Sequence, residues 1–287
     1  MPELPEVEVT RRSIDLPLRG ARVQAVHLGK PLRWPLGCPP GSLVGQYLGA
    51  VLRRGKYLWL PLHERASAGL TGSTQGLLLH LGMSGALELR TPTVPPGGDL
   101  ALARHEHFRL DTDRGSLRLL DPRRFGAVVW SPGLAAEPAA GLLAGLGLEP
   151  DDPALTEARF HAELQRRRAP IKTVLLQGEV IVGAGNIYAC EALFQAGIDP
   201  RCSAARIGPV RARRLLHALR HTLAQAVELG GTTLRDFHDA RGVHGAYQEQ
   251  VAVYGRAGLP CVRCGTRLRR LQQAQRTTVY CPRCQRR

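Results

Sequence analysis

Lysine is nearly missing from this chain of 287 residues: of 39 basic side chains only Lys30, Lys56 and Lys172 are lysines, and the other 36 are arginines. Arginine keeps its proton and grips phosphate bidentately, whereas lysine can act as an amine. Side-chain amine chemistry is thereby confined to three positions. Long apolar runs are also missing: no stretch of 18 apolar residues occurs, which excludes a membrane-spanning helix. The N-terminus, MPELPEVEVTRR, carries acids where a secretion signal needs a basic segment and an apolar one, so a cytoplasmic protein is expected. Acids are scarce, 24 against 39 bases, leaving a net charge of +15 and a pI near 10.4. That balance suits nucleic acid, an anionic membrane surface or an acidic protein. The 44% hydrophobic content supports a packed core and excludes a disordered or fibrous chain.

Short β-rich runs with Gly and Pro punctuation fill Arg22 to about Trp130, which reads as an antiparallel sandwich or barrel. A helix is expected before them, from Pro5 to about Asp15, with acids in its first turn and Arg11 and Arg12 near its end. The stretches 65–76 and 91–99 read as exposed loops. From about Glu137 the periodicity turns helical, with helices expected at 154–167, 170–177, 186–196 and 209–229. In the last, Pro209 takes the first position, and Val210, Leu215, Leu216, Leu219, Leu223 and Val227 fall near one face. The fold class expected is α+β, divided into a sandwich domain (1–136), a linker (137–152), a helical domain (153–254) and a C-terminal ribbon (255–287).

The ribbon carries the strongest motif. Cys261-Val-Arg-Cys264 and Cys281-Pro-Arg-Cys284 are separated by sixteen residues, the spacing at which two knuckles bring four thiolates onto one structural Zn²⁺. A cytosolic setting disfavours two disulfides. From Gly255 onward there are nine arginines and no acid, a composition suited to a polyphosphate. Val182-Gly-Ala-Gly-Asn-Ile-Tyr-Ala189 precedes an apolar helix, where Asn186 at the cap would present helix N–H groups to a phosphate. It is not a Walker loop, and no strand-plus-acid context supports dinucleotide binding, so no nucleotide cofactor is expected.

Met1-Pro2 favours removal of the initiator methionine, which exposes Pro2 as a secondary amine with a pKa of ~8. Attack of such an amine on a sugar C1′ gives a cationic iminium, an electron sink for elimination. Glu3 is placed to protonate the sugar ring oxygen, and Glu6, one turn on, to hydrogen-bond or tune the site.

The ordered motifs MPELPEVEV, RRGKYL (53–58), HLGMSG (80–85), DPRRFG (121–126), VGAGNIYACEALF (182–194), GGTTLRDF (230–237), QVAVYGR (250–256) and the terminal ribbon resemble the bacterial formamidopyrimidine-DNA glycosylase family over nearly the whole chain. Leu4 favours that branch over the related endonuclease VIII, which usually opens PEGPE. The resemblance implies a sandwich, a helix-two-turn-helix unit and a zinc ribbon, acting on damaged double-stranded DNA as a glycosylase and abasic-site lyase for oxidised purines. Pro2 is then the nucleophile and Glu3 the proton donor, with Glu6 at the lesion. Lys56 assists β-elimination and Arg276 the 3′ phosphate and δ-elimination. Met83, Arg123 and Phe125 fill the hole left by the extruded nucleotide. His80, His105, Arg124, Arg167 and Asn186 contact the DNA backbone, and 234–249 forms a loop over the flipped base. Departures are small: Val9 replaces Thr, 65–76 is longer, and Arg166–Arg168 replace lysines. One site per lesion makes a monomer the natural state. The competing readings are a noncatalytic zinc-ribbon protein that binds DNA damage and an endonuclease VIII-like enzyme for oxidised pyrimidines.

Overall fold

The computed structural model describes residues 2–65, 75–90, 101–232 and 238–287, and they fall into two compact units. The expected loops 65–76 and 91–99 lie largely outside the described residues, as does the fate of Met1. One unit comprises residues 1–144 with 230–245, and the other 145–229 with 246–287.

Among the described residues of the first unit, α1 (Leu4–Leu18) precedes nine strands: β1 (Val23–Leu28), β2 (Tyr47–Leu48), β3 (Leu52–Arg54), β4 (Tyr57–His63), β5 (Gly76–His80), β6 (Ala86–Arg90), β7 (Glu106–Thr112), β8 (Gly115–Leu120) and β9 (Ala127–Ser131). They form two antiparallel sheets, of order β1-β7-β8-β6 and β2-β4-β5-β9, with β3 paired to β4. Alternation decides the layers. Leu58, Leu60, Leu62, Leu77 and Leu79 of one sheet share a core with Leu87, Phe108, Leu110, Leu117 and Leu119 of the other, and with Val7, Ile14 and Leu18 of α1. On the outer face Trp59 and Leu78 pack against Ala139 of a short helix, α2 (Ala139–Leu143), in the stretch expected to be linker.

Helix α1 extends one turn beyond its expected end. Arg11 and Arg12 therefore lie in mid-helix, and the last turn holds no base. Both pair with Glu8, at 2.9 and 3.0 Å, as does Arg53 at 3.1 Å. Burial works to raise the Glu8 carboxyl, but the three guanidinium groups hold it below the usual range. The returning segment after Gly230 was expected in the helical domain, yet its described part belongs to the sandwich unit for a plain reason. Its backbone donors find acceptors there: Thr232 N–H bonds Glu6 and Ala240 N–H bonds Ser13, while Ala240 C=O accepts from Leu89. Residues 234–237 of the expected loop lie outside the described residues.

The second unit contains α3 (Glu157–Gln165), α4 (Ile171–Gln177), α5 (Asn186–Gln195), α6 (Pro209–Glu228) and the antiparallel hairpin β10 (Arg269–Gln273) and β11 (Arg276–Tyr280). Helix α5 is buried from Ile187 to Phe194. Helix α6 buries Leu215, Leu216, Leu219 and Leu223 as its periodicity requires, but Val210 in its first turn is exposed. No helix among the described residues is long and apolar enough to cross a membrane.

Candidate catalytic and nucleic-acid-binding sites

The start of α1 is a reciprocal capping box. Glu3, the N-cap, accepts the N–H of Glu6, and Glu6 Oε2 accepts the N–H of Glu3 at 2.8 Å. Its other oxygen, Oε1, accepts the N–H of Thr232 at 2.8 Å. Gly231, at φ +81°, brings its backbone so close that a Cβ there would lie 3.0 Å from the same oxygen. Pro2, Glu3 and Glu6 are all buried. The carboxylate of Glu6 thus ties the entry to α1, where the proposed nucleophile sits, to the root of the segment expected over the flipped base.

Lys56 is the second residue of a two-residue hairpin between β3 and β4, with Gly55 before it at φ +58°. It is half-buried. His80, at the end of β5, lies opposite Tyr57 with ring centroids 4.8 Å apart. Its Nδ1 accepts the N–H of Gly82 at 3.0 Å, which leaves Nε2 to carry the proton. Burial, then the charges of Lys56 and Arg33, push the imidazole down to about 4, so it is a neutral donor at physiological pH. Arg33 belongs to this basic group and was not singled out from the sequence.

Met83 and Phe125 are 43% and 44% exposed, which leaves both side chains open to a partner. The Arg123 guanidinium lies 4.9 Å over the Phe125 ring. His105 and Arg124 occupy left-handed backbone at φ +67° and +57°, strain of the kind that collects at functional sites.

In the helical unit one expectation changes. The cap of α5 is Gly185, and Asn186 is the first helical residue, so its side chain is released for another task. Asn186 Nδ2 donates to the C=O of Thr277 at 3.0 Å, and its Oδ1 accepts from Lys172 Nζ at 2.6 Å. Arg167, expected on DNA, donates to the C=O of Glu163 and pairs with its carboxylate at 2.7 Å. Lys172 itself, fully buried, also donates to Thr278 Oγ1 at 2.6 Å. One lysine therefore latches α4, the start of α5 and β11 together. Its signal in the sequence was slight: a lone lysine in the apolar run IKTVLL of a chain almost without lysine. Arg276 opens β11 beside this latch, after a two-residue turn in which Ala274 and Gln275 both have positive φ.

The four ribbon cysteines place their sulfurs within 4.8 Å of one another. Arg263 N–H and Cys284 N–H point at the sulfurs of Cys261 and Cys281, at 3.4 and 3.3 Å. Desolvation and the neighbouring thiols push Cys284 up to about 12, while hydrogen bonds from Thr266 bring Cys264 down to about 6. A divalent cation held by thiolates resolves that crowding, so the donor set fits one structural zinc. Cys38, Cys190 and Cys202 are not part of that four-sulfur group, although Cys190 packs in the same buried cluster as Cys261 and Cys281.

Three family models match in order: the formamidopyrimidine-DNA glycosylase N-terminal domain over residues 1–128, the formamidopyrimidine-DNA glycosylase H2TH domain over 146–238, and the zinc finger found in FPG and IleRS over 258–287. Sandwich, helical unit and metal-bearing ribbon together define a zinc-containing DNA glycosylase. Formamidopyrimidine-DNA glycosylases of Acidovorax sp. (strain JS42) and Albidiferax ferrireducens are 55% and 53% identical over 286 and 285 residues, each alignment covering 99–100% of both chains. The MutM (Fpg) crystal structure from Thermus thermophilus is similar with a TM-score of 0.84 and 37% identity, over 99% of this chain and 98% of that one. A Lactococcus lactis Fpg mutant in complex with a Fapy-dG containing DNA gives 0.86 and 28%, covering all of both chains. The chain belongs to the formamidopyrimidine-DNA glycosylase family.

Proposed function

We propose that this glycosylase excises oxidised purines, 8-oxoguanine and formamidopyrimidines, from damaged duplex DNA and then cleaves the strand as an abasic-site lyase. The observation that carries the reading is the Glu3–Glu6 capping box, which holds a proline at the entry to α1 beside a buried carboxylate. In this scheme the freed Pro2 nitrogen forms a bond to C1′ as the bond from C1′ to the base breaks and the base leaves with the electron pair. The nitrogen, cationic once bonded to C1′, gives up its N–H proton to the departing base, and as Glu3 protonates O4′ the C1′–O4′ bond breaks and the recovered nitrogen lone pair completes an iminium. Loss of a C2′ proton sends electrons into that cation and expels the 3′ phosphate. A second elimination expels the 5′ phosphate, and water releases Pro2 from the sugar remnant.

The other candidates take positioning roles. Lys56 and neutral His80 bind phosphate near the sugar, with His105 and Arg124 on neighbouring phosphates. Asn186, Arg167 and Arg276 grip the backbone from the helical unit and ribbon. Met83, Arg123 and Phe125 fill the void. Relatives solved with a Fapy-dG containing DNA and with carbocyclic 8-oxo-G containing DNA support the substrate class. The protein works as a cytoplasmic monomer without a nucleotide cofactor. Pro2→Gly tests the scheme: excision from an 8-oxoguanine duplex should fall by at least ~100-fold, as for loss of a covalent nucleophile, with duplex affinity within about 3-fold of wild type. Equal loss of binding and excision would contradict it.

A further inference from the structure

Met83 and Phe125 sit on different turns, residues 81–85 after β5 and 121–126 between β8 and β9. The two turns touch at their glycines. Gly82 has φ +64°, and a Cβ there would lie 2.5 Å from both the nitrogen of Gly126 and the carbonyl carbon of Phe125. Behind this contact lies Asp121, with no solvent exposure at all. Its Oδ1 accepts the hydroxyl of Ser84 at 2.6 Å and the N–H of Arg123 at 3.2 Å, and its Oδ2 accepts the N–H of Gly126 at 2.7 Å. Its own N–H donates to the C=O of His105 at 2.8 Å, and its C=O accepts the N–H of Arg124 at 3.1 Å.

One buried carboxylate is thus the common acceptor for the turn bearing Met83 and the turn bearing Arg123 and Phe125. Its peptide groups hold His105 and Arg124, both of which have left-handed backbone. All three hydrogen bonds made to the side chain come from donors, so the site calls for a residue that accepts on both oxygens. An amide at this position turns its own NH₂ toward either Gly126 N–H or the Ser84 and Arg123 pair, and satisfies one side alone.

We propose that Asp121 is a positioning residue for base extrusion: it holds Met83, Arg123 and Phe125 in their void-filling arrangement before DNA arrives, so that insertion requires no ordering of the turns. This rests on the void-filling role given to those three side chains above. Such a role bears on removing a base that has to be extruded, and far less on elimination at a site whose base is already gone.

The test is single-turnover excision of 8-oxoguanine from a duplex, set beside strand cleavage at a preformed abasic site in the same duplex, for D121N, S84A, M83A and F125A, with thermal unfolding of each variant. D121N is expected to slow excision by roughly 30-fold and S84A by about 5-fold, the scale of displaced positioning groups and of one lost hydrogen bond. Abasic-site cleavage should stay within about 3-fold for both, again on the scale of one hydrogen bond. Wild-type excision by M83A and F125A would sink the void-filling reading and this proposal with it. Slow excision by M83A with normal excision by D121N and S84A would overturn the role of Asp121 alone, as would equal loss of both activities in D121N. If D121N does not fold, S84A decides: an unchanged ratio of the two rates overturns the proposal.

Discussion

A histidine that titrates well below its usual range ties local chemistry to stability. His80 is held neutral by burial, Lys56 and Arg33, and His107 is lowered chiefly by burial against the opposing pull of Asp121. Unfolding frees both to bind protons at their ordinary pKa of about 6.5. The unfolded chain therefore takes up protons as pH falls below ~6.5 while folded His80 resists until about 4, so stability declines with acidification through that window. Glu8, Glu106 and Asp199, whose carboxyls are lowered by arginine partners, add their losses only below about 4.5. Denaturant unfolding at stepped pH should show a slope between pH 6.5 and 4.5 that is shallower in His80→Gln. An identical slope in the variant would contradict the assignment. The His80 motif was legible in the sequence, but its neutrality was not, because it depends on Arg33 and on register against Tyr57. Glu6 illustrates the same divide. Its box with Glu3 follows from their spacing, whereas its bond to Thr232, 226 residues away, follows only from the fold.

Elements were read well where periodicity is strong and less well where a side chain was assigned to a terminus. Helices α5 and α6 begin at the residues expected, the latter because Pro209 suits a first turn and nowhere deeper. The role of Asn186 was misplaced by one position: glycine caps α5, and the asparagine joins a latch whose centre is Lys172. That latch depends on β11 arriving beside α4, a juxtaposition of residues more than 100 apart. Lys172→Met keeps the apolar stem but strands Asn186 Oδ1 and Thr278 Oγ1 without their donor. It should cost about 2–4 kcal/mol of stability, the scale of one buried and one partly buried acceptor left unsatisfied, and weaken duplex binding through misplacement of Asn186 and Arg276. Urea unfolding and equilibrium binding check it. Wild-type stability together with wild-type affinity would show the latch to be idle.

At the scale of the molecule, near-exclusion of lysine separates gripping from chemistry. The 36 arginines supply permanent charge, nine of them in an acid-free ribbon built on zinc, and they offer no amine to a sugar. Of the three lysines, Lys172 is sealed in a hydrogen-bonded latch and Lys56 stands on a hairpin turn beside His80. In the proposed scheme the nucleophile is instead the Pro2 nitrogen, held where Glu3 and Glu6 cap α1. The measurement that tests this most directly is borohydride trapping on an 8-oxoguanine duplex, followed by peptide mapping of the covalent product. The account predicts a reduced adduct on the N-terminal peptide, with the sugar carbon bonded to the nitrogen of Pro2. An adduct on Lys56, or none from protein that binds the duplex, would contradict it.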